Sequence, residues 1–189
     1  MEHEHTLIDQ ALEGNRSALN ELISISWNPL YRFISYKIKS QEDAKELTQE
    51  TFLKAFSALS TYKKTGVPFS AYLTRIAHNL VIDFWRKKGR SPLMVDLTND
   101  HHPMAENDRP EVLAVNKEIR VELAKVLKEL PDDQRQTIEY RIIAGLPIKD
   151  TALAMGKTEA AIKMLQQRAL KNMRSLLITH GIVENQVRG

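Results

Sequence analysis

Apolar residues recur at threes and fours along most of the chain, which is the period of an amphipathic helix. Leu7–Leu12 reads as a short helix. Between Ser17 and Ser40, the positions Leu19, Leu22, Ile23, Leu30, Phe33, Ile34 and Ile38 predict a longer one. Pro29 either kinks it or starts a new turn. Gln41–Leu59 predicts a third helix, with Ala44, Leu47, Phe52, Ala55, Phe56 and Leu59 on one face and Asp43, Glu46, Gln49 and Glu50 on the other. The period breaks over Thr61–Pro68, where Gly66 and Pro68 mark a loop. It resumes over Phe69–Lys88. At ~100° per residue, Leu73, Ala77, Leu80 and Phe84 share one side of that helix, and Arg75, Asn79 and Arg86 share another. Trp85 falls away from both and is read as packing against an early helix.

Ser91–Pro110 has three prolines, no helical period, and the acids Asp96, Asp100, Glu106 and Asp108. It reads as a linker. Beyond it, Leu113–Leu130 predicts a helix that ends at Pro131. Asp132 and Asp133 suit the N-terminal end of the next, which runs to about Ala144 before Gly145. The expected architecture is therefore all-α. Two small helical domains (1–92 and 112–180) are joined by a flexible acidic linker at 93–111, and a tail occupies 181–189.

Leu146–Leu177 has the spacing of a helix-turn-helix. A short helix carries Ile148 and Ala152. Gly156 stands where the chain must turn, and glycine supplies the positive φ that a tight turn requires. Thr158 is placed to cap the following helix, with Glu159 in its first turn. That helix would bury Ile162, Leu165, Ala169, Met173 and Leu176, and present Lys163, Gln167, Lys171 and Arg174, with Arg168 adding to its charge. Glutamine can read adenine, and lysine or arginine can read guanine or hold phosphate, so such a face suits a major groove. A helical hairpin with no ligand is the plainer alternative.

Charge is organised in blocks that the net +3 conceals. Residues 1–60 have six bases and nine acids, 61–95 seven and one, 96–118 two and six, and 119–189 twelve and eight. Two basic blocks flanking an acidic stretch suggest two surfaces for nucleic acid. In 61–90 the bases Lys63, Lys64, Arg75, Arg86, Lys87, Lys88 and Arg90 interleave with Tyr62, Phe69, Tyr72, Phe84 and Trp85. Cations hold phosphates and flat rings stack on unpaired bases. The same composition also describes an amphipathic helix with a solvated basic end.

Other chemistry finds little support. The chain has no cysteine, which excludes disulfides and zinc-thiolate sites. His3 and His5 are expected in a frayed N-terminus and His101–His102 in the linker, so no metal site has complete ligand spacing. Glu2, Glu4, Glu46 and Glu50 are read as solvated acids. No phosphate loop, nucleotide motif or catalytic triad order is present, so neither a cofactor, a small-molecule substrate nor an enzymatic activity is expected. No apolar run approaches the ~20 residues of a membrane span, and the N-terminus lacks a signal peptide's regions. A cytoplasmic protein without membrane insertion is expected.

Taken in order, the motifs resemble one family. Asp43–Phe56 (D-A-K-E-L-T-Q-E-T-F-L-K-A-F) is similar to the helix by which bacterial sigma factors dock on core RNA polymerase. Phe69–Arg90, with Arg75-Ile76-Ala77-x-Asn79-x-x-x-Asp83 and a basic tail, resembles the promoter-melting segment. Leu130 to Leu177 resembles the domain that reads the −35 element. The order and spacing resemble the extracytoplasmic-function (ECF) type of the sigma-70 family. The resemblance implies a subunit that binds core polymerase and promoter DNA and directs initiation, with an anti-sigma factor as inhibitor. Asp43, Glu46, Gln49 and Glu50 would contact the polymerase. Tyr62, Lys63, Lys64, Phe69, Arg75, Asn79, Arg86, Lys87, Lys88 and Arg90 would serve the −10 element, the 61–70 loop trapping a flipped base. Thr158, Lys163, Gln167, Arg168 and Lys171 would enter the −35 major groove. Many relatives have aromatic-Arg-Gly in the flipped-base loop, where this chain has Tyr62-Lys63-Lys64-Thr65-Gly66. They often have Thr-Val-Lys-Ser-Arg in the recognition helix, where this chain has Ala161-Ile162-Lys163-Met164-Leu165. Base preferences therefore do not carry across. A self-sufficient dimeric helix-turn-helix regulator accounts for 146–177 but leaves the acidic helix and the basic-aromatic segment without roles.

Distance constrains the linker. The two promoter elements lie about 25 base pairs apart, or ~85 Å at ~3.4 Å per pair. Two domains of this size contribute roughly 30 Å. A coil of about 20 residues averages ~25 Å, but stretched it reaches ~70 Å. Only the stretched linker closes the gap, so it is expected to extend when polymerase holds it. In free solution the two basic surfaces would collapse onto each other or onto an inhibitor.

Overall fold

The N-terminal residues form a helix where a frayed end was expected. The computed structural model describes residues 2–38, 40–62, 66–89 and 122–182. Helix α1 spans Glu2–Leu12. Leu7, Ile8 and Ala11 anchor it in the core. Its polar residues are engaged as well: His3 Nε2 lies 2.8 Å from Glu21 Oε1, and Glu4 Oε1 accepts the Phe69 backbone N–H at 2.9 Å. Pro68, at the N-cap of the helix that Phe69 begins, has no side-chain hydrogen bond to offer. Glu4 supplies the missing acceptor from 65 residues away, where the sequence suggested a solvated acid. Losing a cap of this kind costs about 1 kcal/mol. Glu4→Ala should lower the melting temperature by a few degrees in a thermal scan, and an unchanged midpoint would show that the cap is dispensable.

Helix α2 (Arg16–Lys37) starts at an Asn15 cap and runs through Pro29. Helix α3 (Gln41–Ser57) starts at Ser40, whose hydroxyl accepts the Asp43 N–H. A short helix α4 (Leu59–Tyr62) follows, then α5 (Phe69–Lys87). Helices α2, α3 and α5 pack pairwise into a bundle, with α1 laid against α2. The buried face of α3 includes Thr48 and Thr51. Their hydroxyls are satisfied by the carbonyls one turn back, at 2.7 Å each. An aromatic row, Trp27–Phe52–Phe56–Phe69, runs through this core with centroids about 6 Å apart.

The second half begins with α6 (122–129), then α7 (Asp132–Ile138), which widens into a π-helical turn over Glu139–Ile143. The Ala144 N–H closes that turn on the Glu139 carbonyl at 2.9 Å. Helices α8 (Ile148–Met155) and α9 (Glu159–Thr179) complete it. Ala124, Leu127, Leu130, Ile138 and Ala169 form its core. The expected linker and the first residues of the predicted 113–130 helix lie outside the described residues. Among the described residues there is no strand, and no helix is long and apolar enough to cross a membrane.

The halves touch. Tyr140, Leu146 and Ala154 are buried in the cluster built by α1–α5, and Tyr36 of α2 is buried in the core of the second half.

Candidate nucleic-acid interface

Helix α3 buries its apolar stripe against α2 and α5, which forces its acidic side outward. Asp43, Glu46 and Glu50 line a groove of about 240 Å³, floored by Leu47, Leu80 and Phe84 and edged by Asp83 and Lys87. Two of the acids are paired within the chain: Glu50 with Lys54 at 3.2 Å and Asp43 with Lys88 at 3.0 Å. Gln49 is exposed beside the groove. Sequence reading missed Leu53, which is 71% exposed one turn beyond Gln49 and Glu50. It is an apolar side chain on an otherwise polar face. The signal was a polar-face position occupied by leucine.

The 61–70 segment differs from expectation. Tyr62 (3% exposed) and Phe69 (1%) are core residues rather than presented rings. Tyr62 stacks on Tyr72 at 4.5 Å, meets Phe69 edge-on at 5.6 Å, and donates its hydroxyl to the Val67 carbonyl at 2.6 Å. Its hydroxyl pKa is raised, chiefly by burial and further by the nearby Glu4 carboxylate. In this arrangement neither ring is open to a base, and both tie down the two ends of the loop. Trp85 is also buried, its indole N–H donating to the Lys37 carbonyl at 3.3 Å. Of the five aromatics in the basic stretch, only Tyr72 and Phe84 are half-exposed. Packing explains the difference: a short bundle uses large rings to fill the ends of its core. Lys63, Lys64 and Arg90 lie outside the described residues.

Helix α5 presents Arg75, Asn79 and Arg86 to solvent. Arg75 and Asn79 are one turn apart, so a guanidinium and an amide stand side by side on one exposed face. Arg86 pairs with Asp83. Lys88 reaches over the Phe84 ring at 4.2 Å and on to Asp43, while Lys87 stands exposed beside it. The basic end of α5 is thereby tied to the acidic start of α3.

In the second half, Gly156 closes α8 in the left-handed conformation (φ 63°, ψ 36°). The Lys157 N–H reaches back to the Ala152 carbonyl at 2.9 Å. A side chain at that φ would be strained, which is why glycine stands there. Thr158 Oγ1 caps α9 by accepting the Ala161 N–H at 3.2 Å. Ile162 and Ala169 are fully buried, and Leu165, Met173 and Leu176 are partly so. The opposite face leaves Thr158, Lys163, Gln167, Arg168 and Lys171 exposed. Met164 and Leu170 are exposed among them, at 51% and 49%.

Ionisable groups are also buried between the halves. Lys37 Nζ meets Glu139 Oε2 at 2.5 Å, both side chains almost fully enclosed. Burial pulls the Lys37 pKa down against the opposing pull of Glu139. His78 on α5 is held at a pKa of about 4 by burial first, then by the positive charges of Lys37 and Arg135. None of these three residues stood out in the sequence as a site. The signal was a lysine and a glutamate at apolar-stripe positions, next to Phe33, Ile34 and Ile38 in one case and Ile138 and Tyr140 in the other.

Comparison with known proteins places these features. Residues 26–91 match the family described as Sigma-70 region 2, and residues 120–173 match Sigma-70, region 4. The chain is 34% identical over 172 residues to the ECF RNA polymerase sigma factor BldN of Streptomyces coelicolor, covering 90% of this chain and 64% of that protein's length. Its fold is similar to that of CnrH, solved in complex with the cytosolic domain of CnrY, with a TM-score of 0.69 and 24% identity over 94% of this chain and 98% of that one. It is also similar to the sigma factor RpoE in complex with the anti-sigma factor NepR from Bartonella quintana, with a TM-score of 0.58 and 21% identity, covering 84% of this chain and 96% of that one. The chain belongs to the ECF type of the sigma-70 family of RNA polymerase sigma factors.

Proposed function

We propose that the chain is a promoter-specific initiation subunit with no active site of its own, acting in the cytoplasm on core RNA polymerase. Residues 1–92 and 112–180 are its two working units, joined by 93–111 and followed by a tail at 181–189. Asp43, Glu46, Gln49 and Glu50, with Leu53, dock on the polymerase. Arg75 and Asn79 contact the −10 element, and Arg86, Lys87, Lys88 and Arg90 hold the adjoining backbone. Lys63 and Lys64 serve the loop that receives a flipped base, with Tyr62 and Phe69 as its buried frame. Thr158, Lys163, Gln167, Arg168 and Lys171 face the −35 major groove. An anti-sigma factor is part of the proposal, because RpoE, whose fold this chain shares, is named in complex with one.

One observation carries the reading. A single chain turns outward an acidic helix face, an arginine–asparagine stripe and a basic helix after a tight glycine turn, in that order. Arginine and asparagine side chains discriminate bases through paired hydrogen bonds. Arg75→Ala combined with Asn79→Ala should therefore reduce open-complex formation by about a hundredfold at two contacts of ~1–3 kcal/mol each. Run-off transcription with core polymerase on a promoter library provides the template and the measurement. Unchanged open-complex formation would remove these residues from the −10 face. Absence of any transcript from the parent chain, together with tight operator binding by the free protein, would overturn the proposed function itself.

A further inference from the structure

A methionine stands in the middle of the face that α9 turns to solvent. The fully buried pair Ile162 and Ala169 defines the inner side of that helix. At ~100° per residue, Ala160, Met164, Gln167 and Lys171 fall within about 30° of the direction opposite to it, with Lys163 and Arg168 on the two flanks. All six are exposed. The outward strip therefore carries an apolar side chain, 51% exposed, inside a polar and basic rim.

Position and isolation both separate Met164 from an ordinary surface methionine. It lies in the second turn after the Thr158 cap, and the N-terminal part of a recognition helix is the part that meets base edges. One turn before it, Ala160 is too short to hold the backbone away from a groove floor. Leu170, the other exposed large apolar side chain of α9, lies about 120° round the helix, with Lys163, Gln167 and Lys171 in between. The two do not merge into the contiguous apolar patch that marks a protein partner. Charge fixes the class of partner instead. Lysine and arginine rim the strip and no acid lies within it, which suits a polyanion. The apolar group that B-DNA presents in its major groove is the thymine 5-methyl.

The neighbouring amides sharpen the match. Gln166 and Asn172 are engaged within the fold, with Arg141 at 3.2 Å and Gln134 at 2.9 Å. Gln167 faces outward, where its amide can pair with adenine N6 and N7. Three residues advance the helix by ~4.5 Å, against ~3.4 Å between base pairs, so Met164 and Gln167 address adjacent pairs. We propose that Met164 is a specificity-determining residue that takes the 5-methyl group of a thymine in the −35 element, beside an adenine read by Gln167. This role rests on the function proposed above and names the base chemistry that α9 selects. Methionine stands here where related recognition helices often have serine, which hydrogen-bonds rather than packs. Its unbranched thioether, with three rotatable bonds, can follow the position of a methyl group.

Deoxyuridine in place of thymidine removes that methyl and leaves every base-pair hydrogen bond intact. The −35 element is first selected from a promoter library by the chain with core polymerase. Each thymine of the element, on either strand, is then replaced singly by deoxyuridine, and holoenzyme affinity is measured by competition. Affinity should fall about fourfold at one position, the value of one buried methyl, and stay level at the others. Met164→Ala should weaken binding to the parent element by a similar factor and erase the thymine–uracil difference. Met164→Leu should keep that difference, which shows that the loss in the alanine variant is not a failure to fold. Three results would overturn the role of Met164 and leave the proposed function standing: a selected element with no A·T pair, no position sensitive to deoxyuridine, or a sensitivity that survives Met164→Ala. Transcription that ignores scrambling of the −35 element would overturn the reading of α9 itself, and the role of Met164 with it.

Discussion

Glu46→Lys combined with Glu50→Lys is expected to weaken capture by core polymerase by at least about a hundredfold, because like charges brought together across an interface cost several kcal/mol. The two carboxylates line the α3 groove, over a floor of Leu47, Leu80 and Phe84. A groove with an apolar floor and an acidic rim suits a basic partner segment, and reversing the rim turns attraction into repulsion. Glu50 already pairs with Lys54 at 3.2 Å, so the substitution also sets two lysines against each other one turn apart. The fold should survive, since Glu46 is exposed, Glu50 is half-exposed, and both sit opposite the buried stripe of Ala44, Thr48, Thr51 and Ala55. Titrating labelled chain with core polymerase and following anisotropy measures the effect. The free chain's affinity for a −35 duplex is the internal control, because α9 does not take part in the groove. Leu53→Ala should cost less, about tenfold, as one buried anchor is worth ~1–2 kcal/mol. If reversal leaves polymerase affinity unchanged, the acidic face of α3 is not the docking surface.

How far the chain could be read in advance depended on whether a residue's task was local. Helix periodicity exposed the α2, α3, α5 and α9 faces, because a stripe at threes and fours needs no partner to be seen. The Gly156 turn and the Thr158 cap were also legible, since a left-handed turn and a helix N-terminus each need particular residue types. Long-range tasks were hidden. Glu4 looked solvated because the amide it caps lies 65 residues away. Tyr62 and Phe69 looked like stacking residues because composition cannot tell a ring in a core from a ring on a surface. The π-helical turn had no signal, since Glu139–Ile143 keeps an ordinary helical composition. Lys37 and Glu139 had the strongest unused signal. A single charge within an apolar stripe has to be neutralised or paired on burial, but neither position alone could name the other.

Acid is expected to loosen the contact between the halves, and His78 is the group that makes it so. In the closed chain its pKa is held at about 4, first by burial and then by two positive charges. Lys37 of α2 and Arg135 of α7 supply that charge, the Tyr140 ring covers one side, and Glu139 is engaged by Lys37. Opening or unfolding returns the imidazole to its ordinary value near ~6.5. Between those two values the open chain binds more protons than the closed one, so stability rises with pH across the window and falls as pH drops through it. The contribution is whole above about 6.5 and lost below about 4, which amounts to about 3 kcal/mol at the limit and about 2 kcal/mol between pH 6.5 and 5. The upper part of that window lies above the ordinary carboxylate range, so the histidine dominates there. Thermal melts followed from pH 7 to 5 should show a falling midpoint. His78→Phe keeps an aromatic ring against Tyr140 and removes the titration, so its profile over the same range should be flat. A parent chain as flat as this variant would mean that His78 accepts a proton as readily closed as open, and that burial between the halves places no constraint on its charge.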